Sequence, residues 1–219
     1  MPEETAPETP PRAERRDRAR NREKIIAAAQ EVFAASGIHA PLDRIAVTAG
    51  VGAGTLYRHF PTRAALWSAV LTAPLQQHLA AVDAALDDPD PWEGFSGFVY
   101  SLCGADARSG GYADLMNTRF DDAPDLLALR AKIQRGITRI FARAQSAGAI
   151  RADVTAEDLY FVTTSNAAIA VATRLIAPDA WRRNVALYLD ALRTEPKTPL
   201  PAPPLTVRQL VESVAPGAT

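Results

Sequence analysis

Apolar residues recur along this chain at the three- and four-residue intervals of a helix, and no valine-rich run alternates with polar residues as a half-buried strand would. Ile25, Ala29, Val32 and Phe33 form one stripe of a helix over about residues 18–36, which Gly37 ends. Leu42, Ile45 and Ala46 mark a short helix over 42–49, with Asp43 and Arg44 on its other face. Gly50 stops it, because the residue just past a helix often turns left-handed, a conformation that disfavours a side chain. Val51 then tucks between two helices, and Gly52 opens a second short helix over Ala53–Phe60, with Leu56 and Phe60 four apart on its inner face. Pro61 closes that helix, and Thr62 caps a fourth carrying Leu66, Val70 and Leu71. Beyond the break at Asp87–Pro91, the periodicity predicts helices over about 92–107, 111–119, 124–147, 155–176 and 178–193. The fold class expected is all-α, with a domain over 18–61 and a larger helical domain over 62–194.

Two short helices joined by a tight glycine turn have the shape of a helix-turn-helix, so the outer face of the second is a candidate DNA reader. Gly54 permits close backbone approach, Thr55, Tyr57 and His59 offer hydrogen bonds to phosphates or bases, and Arg58 carries permanent charge. Arg63, in the first turn of the next helix, is expected near the same phosphates, and Arg44 completes the candidate DNA-binding set. The overall formal charge of -1 looks poor for a nucleic-acid partner, but its distribution is uneven. Between Arg12 and Leu66 stand ten Lys or Arg against five Asp or Glu, and the remainder is mildly acidic. A basic head on an ordinary body suits phosphate contact with counterion release.

The stretch GVGAGTLYRHFPTRAAL closely resembles the DNA-binding signature of TetR/AcrR-type transcriptional repressors. The match continues as a spaced pattern through Ile25, Phe33, Ile45, Ala46, Gly50, Val51, Gly54, Leu56, Tyr57, Phe60 and Leu66, and covers about residues 20–70. Elsewhere the chain resembles the family in length and in its helical, alanine-rich character. Pro41 and Gly52 stand where the family usually has helix-capping hydroxyls, and Ala53 where a lysine is frequent, so caps and one phosphate contact are lost. The resemblance implies a homodimer on the palindromic operator of double-stranded DNA, with a small-molecule inducer bound in the body and the fourth helix carrying its effect to the head. The alternative is a helical ligand- or protein-binding module whose head no longer binds DNA.

Trp181, Val185, Tyr188, Leu189 and Leu192 form a broad apolar face on the last helix, and small residues from Ala167 to Ala172 permit close approach of the helix before it. By resemblance this pair forms the dimer interface; an ordinary core face within one subunit is the other reading. For the inducer, Trp67, Phe98, Cys103, Met116, Phe120 and Phe141 are candidate lining residues, with Phe95, Leu102 and Ile137 beside them. Polar residues within apolar faces add Arg139, Thr163 and Asn166, and also Asn117 and Arg119, because a buried polar group needs a partner. Arg139 either meets an anionic inducer, pairs with an aspartate or faces solvent.

The single cysteine, Cys103, excludes an internal disulfide and a cysteine-rich zinc site. His39, His59 and His78 are isolated, no phosphate-cradling glycine loop or nucleophile elbow occurs, and Asp121, Asp122 and Asp125 read as a solvated helix start. Neither catalysis, a metal nor a cofactor is expected. The acidic, proline-rich start lacks the order of a secretory signal and no apolar run is long enough to span a bilayer, so a soluble cytoplasmic protein without a membrane partner is expected. Residues 1–17 are expected as a disordered basic arm running into Arg18, Arg20 and Arg22, either following DNA or forming a solvated helix start. Residues 195–219 form a proline-rich extension in which Thr206 can cap a short helical turn.

Overall fold

In the computed structural model, which describes residues 12–109, 122–194, 198, 200 and 202–209, the polypeptide is all-α as its periodicity requires. The elements are α1 (Arg12–Ser36), α2 (Leu42–Ala49), α3 (Ala53–His59), α4 (Arg63–Asp87), α5 (Pro91–Ser109), α6 (Pro124–Ser146), α7 (Leu159–Thr173) and α8 (Ala180–Leu192). A 3-10 turn at Ala156–Asp158 precedes α7. Among the described residues the only strand-like pairing is an isolated antiparallel bridge between Ile150 and Arg193.

Local chemistry sets the short elements. Gly50 takes φ +65°, and the N–H groups of Gly50 and Val51 donate to Val47 O and Ala46 O at 3.0 Å, closing α2. Thr62 Oγ1 accepts the Ala65 N–H at 3.1 Å and caps α4. Pro41 and Gly52 precede α2 and α3 without any side-chain cap. The helix α1 starts at Arg12, six residues before the expected Arg18, so Arg12–Asp17 is helix and not the end of a disordered arm. The stretch RAERRDRARNREK consists largely of strong helix formers, and high charge does not stop such a helix. The expected helix at 111–119 and residues 1–11 of the expected arm lie outside the described residues. In the C-terminal extension, Gln209 N–H donates to Thr206 Oγ1 at 3.3 Å while Thr206 N–H donates to Gln209 Oε1 at 2.9 Å, the reciprocal cap that Thr206 promised.

The chain divides into two compact units, Met1–Val70 and Leu71–Thr219, and the division falls inside α4. Pro74, one turn into the second unit, has no N–H for the Val70 carbonyl. In the first unit, Ile25, Ala29, Val32 and Phe33 of α1 are buried together with Ile45, Leu56, Phe60 and Leu66.

The second unit is built around α5, which packs on α6, α7 and α8 and buries Phe95, Phe98, Val99, Leu102 and Cys103. The Phe95 and Phe141 rings meet edge to face at 5.1 Å. Helices α4 and α6 touch at Gly136, where a Cβ would fall 2.2 Å from Val82 Cγ1. Arg143 of α6 donates to the Ala85 carbonyl at 3.0 Å and also to that of Asp88, satisfying carbonyls at the end of α4.

The last helices correct one expectation. Trp181, Val185, Leu189 and Leu192 are all buried within the chain itself, and Tyr188, half-buried, donates its hydroxyl to the Asp158 carbonyl at 3.3 Å. Burial also raises the Tyr188 pKa, so the phenol stays protonated. This stripe of α8 is therefore a core face facing α5 and α7, and not a free dimer surface. The apolar surface left outside is different: Phe161 and Val171 on α7, Leu175 and Ile176 in the turn after it, and Leu187 on the outer side of α8.

Candidate nucleic-acid interface

Only seven residues long, α3 is anchored by two apolar side chains, Leu56 and Phe60, both buried. The other side chains point elsewhere: Gly54, Tyr57 and Arg58 are exposed, and Thr55 and His59 are half-buried. Arg58 Nη2 donates to Thr55 Oγ1 at 3.0 Å, which orients the guanidinium along the outer face. Tyr57 keeps 47% of its surface exposed on this outer face.

A concave space of about 320 Å³ lies between α1 and α3, lined by Arg18, Ala19, Arg22, Arg58 and His59. Its lining holds three guanidinium groups and no carboxylate. The Arg22 guanidinium sits 5.4 Å from the Phe60 ring centroid, a cation–π contact that restrains it beside α3. Burial, and after it the charges of Arg18, Arg58 and Arg22, hold the His59 imidazole below its ordinary proton affinity. Such a surface attracts anions.

Two of the seven sequence-derived candidates are used differently. Arg63 does not face the α3 surface: its Nη1 donates to Ala40 O at 2.7 Å and to Ile38 O at 3.4 Å. The guanidinium also lies 6.0 Å from the Trp67 ring centroid, so it braces the α1–α2 loop. Arg44 remains exposed, but Nη1 donates to Ser36 Oγ at 2.8 Å at the end of α1. Conversely, Arg18 and Arg22 were read only as part of a basic arm. The signal was available in their spacing, because 18, 22, 25 and 29 continue one helical stripe that passes from arginine to the buried Ile25 and Ala29.

The inducer candidates scatter. Trp67 belongs to the first unit, where Nε1 donates to Ile38 O at 3.0 Å and the ring meets His39 edge-on at 5.7 Å, so it is head packing and not a lining of the body. Arg139 is exposed on a surface groove of α4 and α6 beside Lys132 and Arg135, which corrects its placement in an interior pocket. Met116 and Phe120, with Asn117 and Arg119, lie outside the described residues. Phe98, Cys103, Phe141, Thr163 and Asn166 are buried in the second unit, as are Phe95, Leu102 and Ile137. There the polar groups have partners of their own. Thr163 donates to Leu159 O at 2.9 Å, Asn166 Nδ2 to Cys103 O at 3.4 Å, and Asn184 Nδ2 to Asn166 Oδ1 at 3.4 Å. The Thr163 bond stays within α7, and the two Asn bonds tie α5, α7 and α8 together.

Comparison with known proteins places both parts of the chain in one family. Residues 25–70 match the family model for bacterial regulatory proteins of the tetR family, and residues 90–194 match that for the C-terminal domain of SbtR-like transcriptional regulators. Together the two matches span more than two thirds of the chain. A TetR transcriptional regulator from Streptomyces coelicolor is 32% identical over 78% of this chain and 98% of its own, with a TM-score of 0.46. A regulatory protein of the tetR family from Rhodococcus RHA1 is 25% identical, covering 80% of this chain and 98% of that one, with a TM-score of 0.51. The ketosteroid transcriptional regulator KstR2 of Mycobacterium tuberculosis shares the fold at 18% identity, covering 80% and 95% of the two chains, with a TM-score of 0.56. No curated protein matches the chain.

Proposed function

The chain belongs to the TetR family of bacterial transcriptional regulators, and on that premise we propose that it acts as a ligand-responsive repressor, binding a palindromic operator as a homodimer. The observation that carries the DNA-reading part is the outer face of α3, where Thr55, Tyr57 and Arg58 stand on a buried Leu56 and Phe60 anchor beside an acid-free cluster of arginines. Hydroxyl, phenol and guanidinium groups are the ones that read base edges and phosphates, and an element this short, anchored at its middle and at its C-terminal end, presents them with little freedom.

Dimerisation is supported by the outer face of α7 and α8. Val171, Leu175 and Leu187 are 77%, 89% and 62% exposed, a cluster of apolar surface of the kind that marks protein interfaces. Between Phe161 and Val171 the outward positions Thr164 and Ala168 are small, which lets another helix approach. A two-fold dimer then carries two copies of α3 to two half-sites. The inducer binds the second unit, and α4, continuous from Arg63 to Asp87, carries its effect to the head; only unequal affinity for the two arrangements can drive that shift.

The test is operator binding by fluorescence anisotropy, using a duplex selected by the wild-type protein. Tyr57→Ala is expected to lose about 1–3 kcal/mol of discrimination between that duplex and a scrambled one while keeping its helical circular dichroism. Unchanged discrimination removes Tyr57 from the reading face.

A further inference from the structure

We propose that Arg18 and Arg22 of α1, with Arg58 and His59 of α3, form a seat for one backbone phosphate of duplex DNA, distinct from the base-reading role of Thr55 and Tyr57. The seat rests on the DNA-binding reading above and divides that surface into two tasks.

Convergence is the first argument. Four groups from two helices line one concavity of about 320 Å³, and none of its described lining residues is acidic. Charged surface side chains usually find opposite partners or spread apart; these are held together. Arg22 is restrained by the Phe60 ring, and Arg58 by Thr55 Oγ1. Each guanidinium has five donors, so these contacts leave most of them available to an oxyanion.

Electrostatics is the second. The charges that face His59 are Arg18 and Arg22 from α1 and Arg58 from its own helix, all of one sign, and they disfavour its protonation. An anion in the concavity relieves the mutual repulsion of the three arginines. Inorganic phosphate and the DNA backbone share this chemistry. The backbone is the fitting occupant because Arg58 and His59 directly follow Tyr57 on the helix proposed to enter the groove, so the seat travels with the reader.

The salt dependence of binding separates the two tasks. Affinities for the selected and scrambled duplexes are measured across salt concentrations for the wild type, the Arg18→Ala/Arg22→Ala variant, the Arg18→Lys/Arg22→Lys variant and Tyr57→Ala. Loss of the seat should weaken both duplexes by the same factor and reduce the slope of log affinity against log salt by about 1 per seat, so about 2 for a dimer. Lysines should restore most of the slope, and Tyr57→Ala should lower discrimination with the slope unchanged. An unchanged slope in the alanine variant, whatever its affinity, overturns the seat while leaving the DNA-binding reading intact. Absence of wild-type binding to any duplex overturns that reading and the seat with it. A nuclear magnetic resonance titration with inorganic phosphate follows the His59 ring; saturable binding there, together with an unchanged DNA slope, reassigns the concavity to a free anion.

Discussion

On α3 the exposed side chains include Tyr57 and Arg58, beside a half-buried Thr55, whereas the large apolar side chains Phe161, Val171, Leu175 and Ile176 are exposed on α7 and the turn after it. Both faces sit over well-buried neighbours, so neither is a by-product of loose packing. The difference lies in what each can exchange for water. A polar, cationic face loses little by exposure and gains when phosphates displace its counterions. An apolar face gains only when another apolar surface covers it, at roughly 25 cal/mol per Å². The proposed function assigns the two faces to two partners of different chemistry, a nucleic acid and a second protein surface.

The comparison breaks most visibly on α8, whose two sides have opposite roles. Trp181→Glu puts a carboxylate into the core and should destabilise the second unit by about 3–5 kcal/mol, seen as a large drop in melting temperature. Leu187→Glu, on the exposed side, should leave the fold of the subunit intact while shifting sedimentation from dimer to monomer. A persistent dimer moves the interface away from α7 and α8; a folded Trp181→Glu variant contradicts the core assignment.

A smaller effect sharpens the account of the body. At Gly136 an added methyl meets Val82, so Gly136→Ala should cost about 1–3 kcal/mol, and Val82→Ala in the same chain should recover part of it. Chemical denaturation of the two variants measures the coupling; strictly additive losses deny the contact.

The smallest effect concerns pH and involves one histidine in each unit. Burial lowers the proton affinity of His78 from its ordinary pKa of 6.5, partly offset by the bond from Nδ1 to Pro74 O at 2.8 Å. Burial and three arginines do the same at His59. A lowered pKa means that the unfolded chain takes up protons first. This contribution is neutral well above pH 6.5 and turns against folding as the pH falls through that value toward the folded pKa. Melting temperatures should therefore decline from about pH 6.5 downward, and His78→Gln should make the decline shallower. An identical profile in the variant assigns the decline to other groups.

The head was more legible than the body for a physical reason. Gly50, Pro61 and Thr62 act on the backbone next to them, so α2, α3 and the start of α4 follow from neighbours in sequence. The bracing contacts of Arg63 were not legible because its partners, the carbonyls of Ile38 and Ala40, lie more than twenty residues away. In the body, the 4, 3, 1, 3 spacing of Trp181, Val185, Tyr188, Leu189 and Leu192 correctly marked a covered face. Periodicity does not say whether the cover is the same chain or another. Here α5 and α7 supply it, and the exposed face includes Val171 and Leu187, which no spacing singled out. Arg18 and Arg22 were visible as charge but not as a site, since only packing brings them to Arg58 and His59.

The central claim is a dimer that reads DNA through two copies of α3. Selecting bound sequences from random duplex DNA with the wild-type protein and with Tyr57→Ala, at physiological salt, tests it most directly. The account predicts an enriched palindrome with half-sites about one helical turn apart, enriched much less by the variant. No enrichment by a folded, dimeric wild type, or the same palindrome enriched as strongly by Tyr57→Ala, contradicts it.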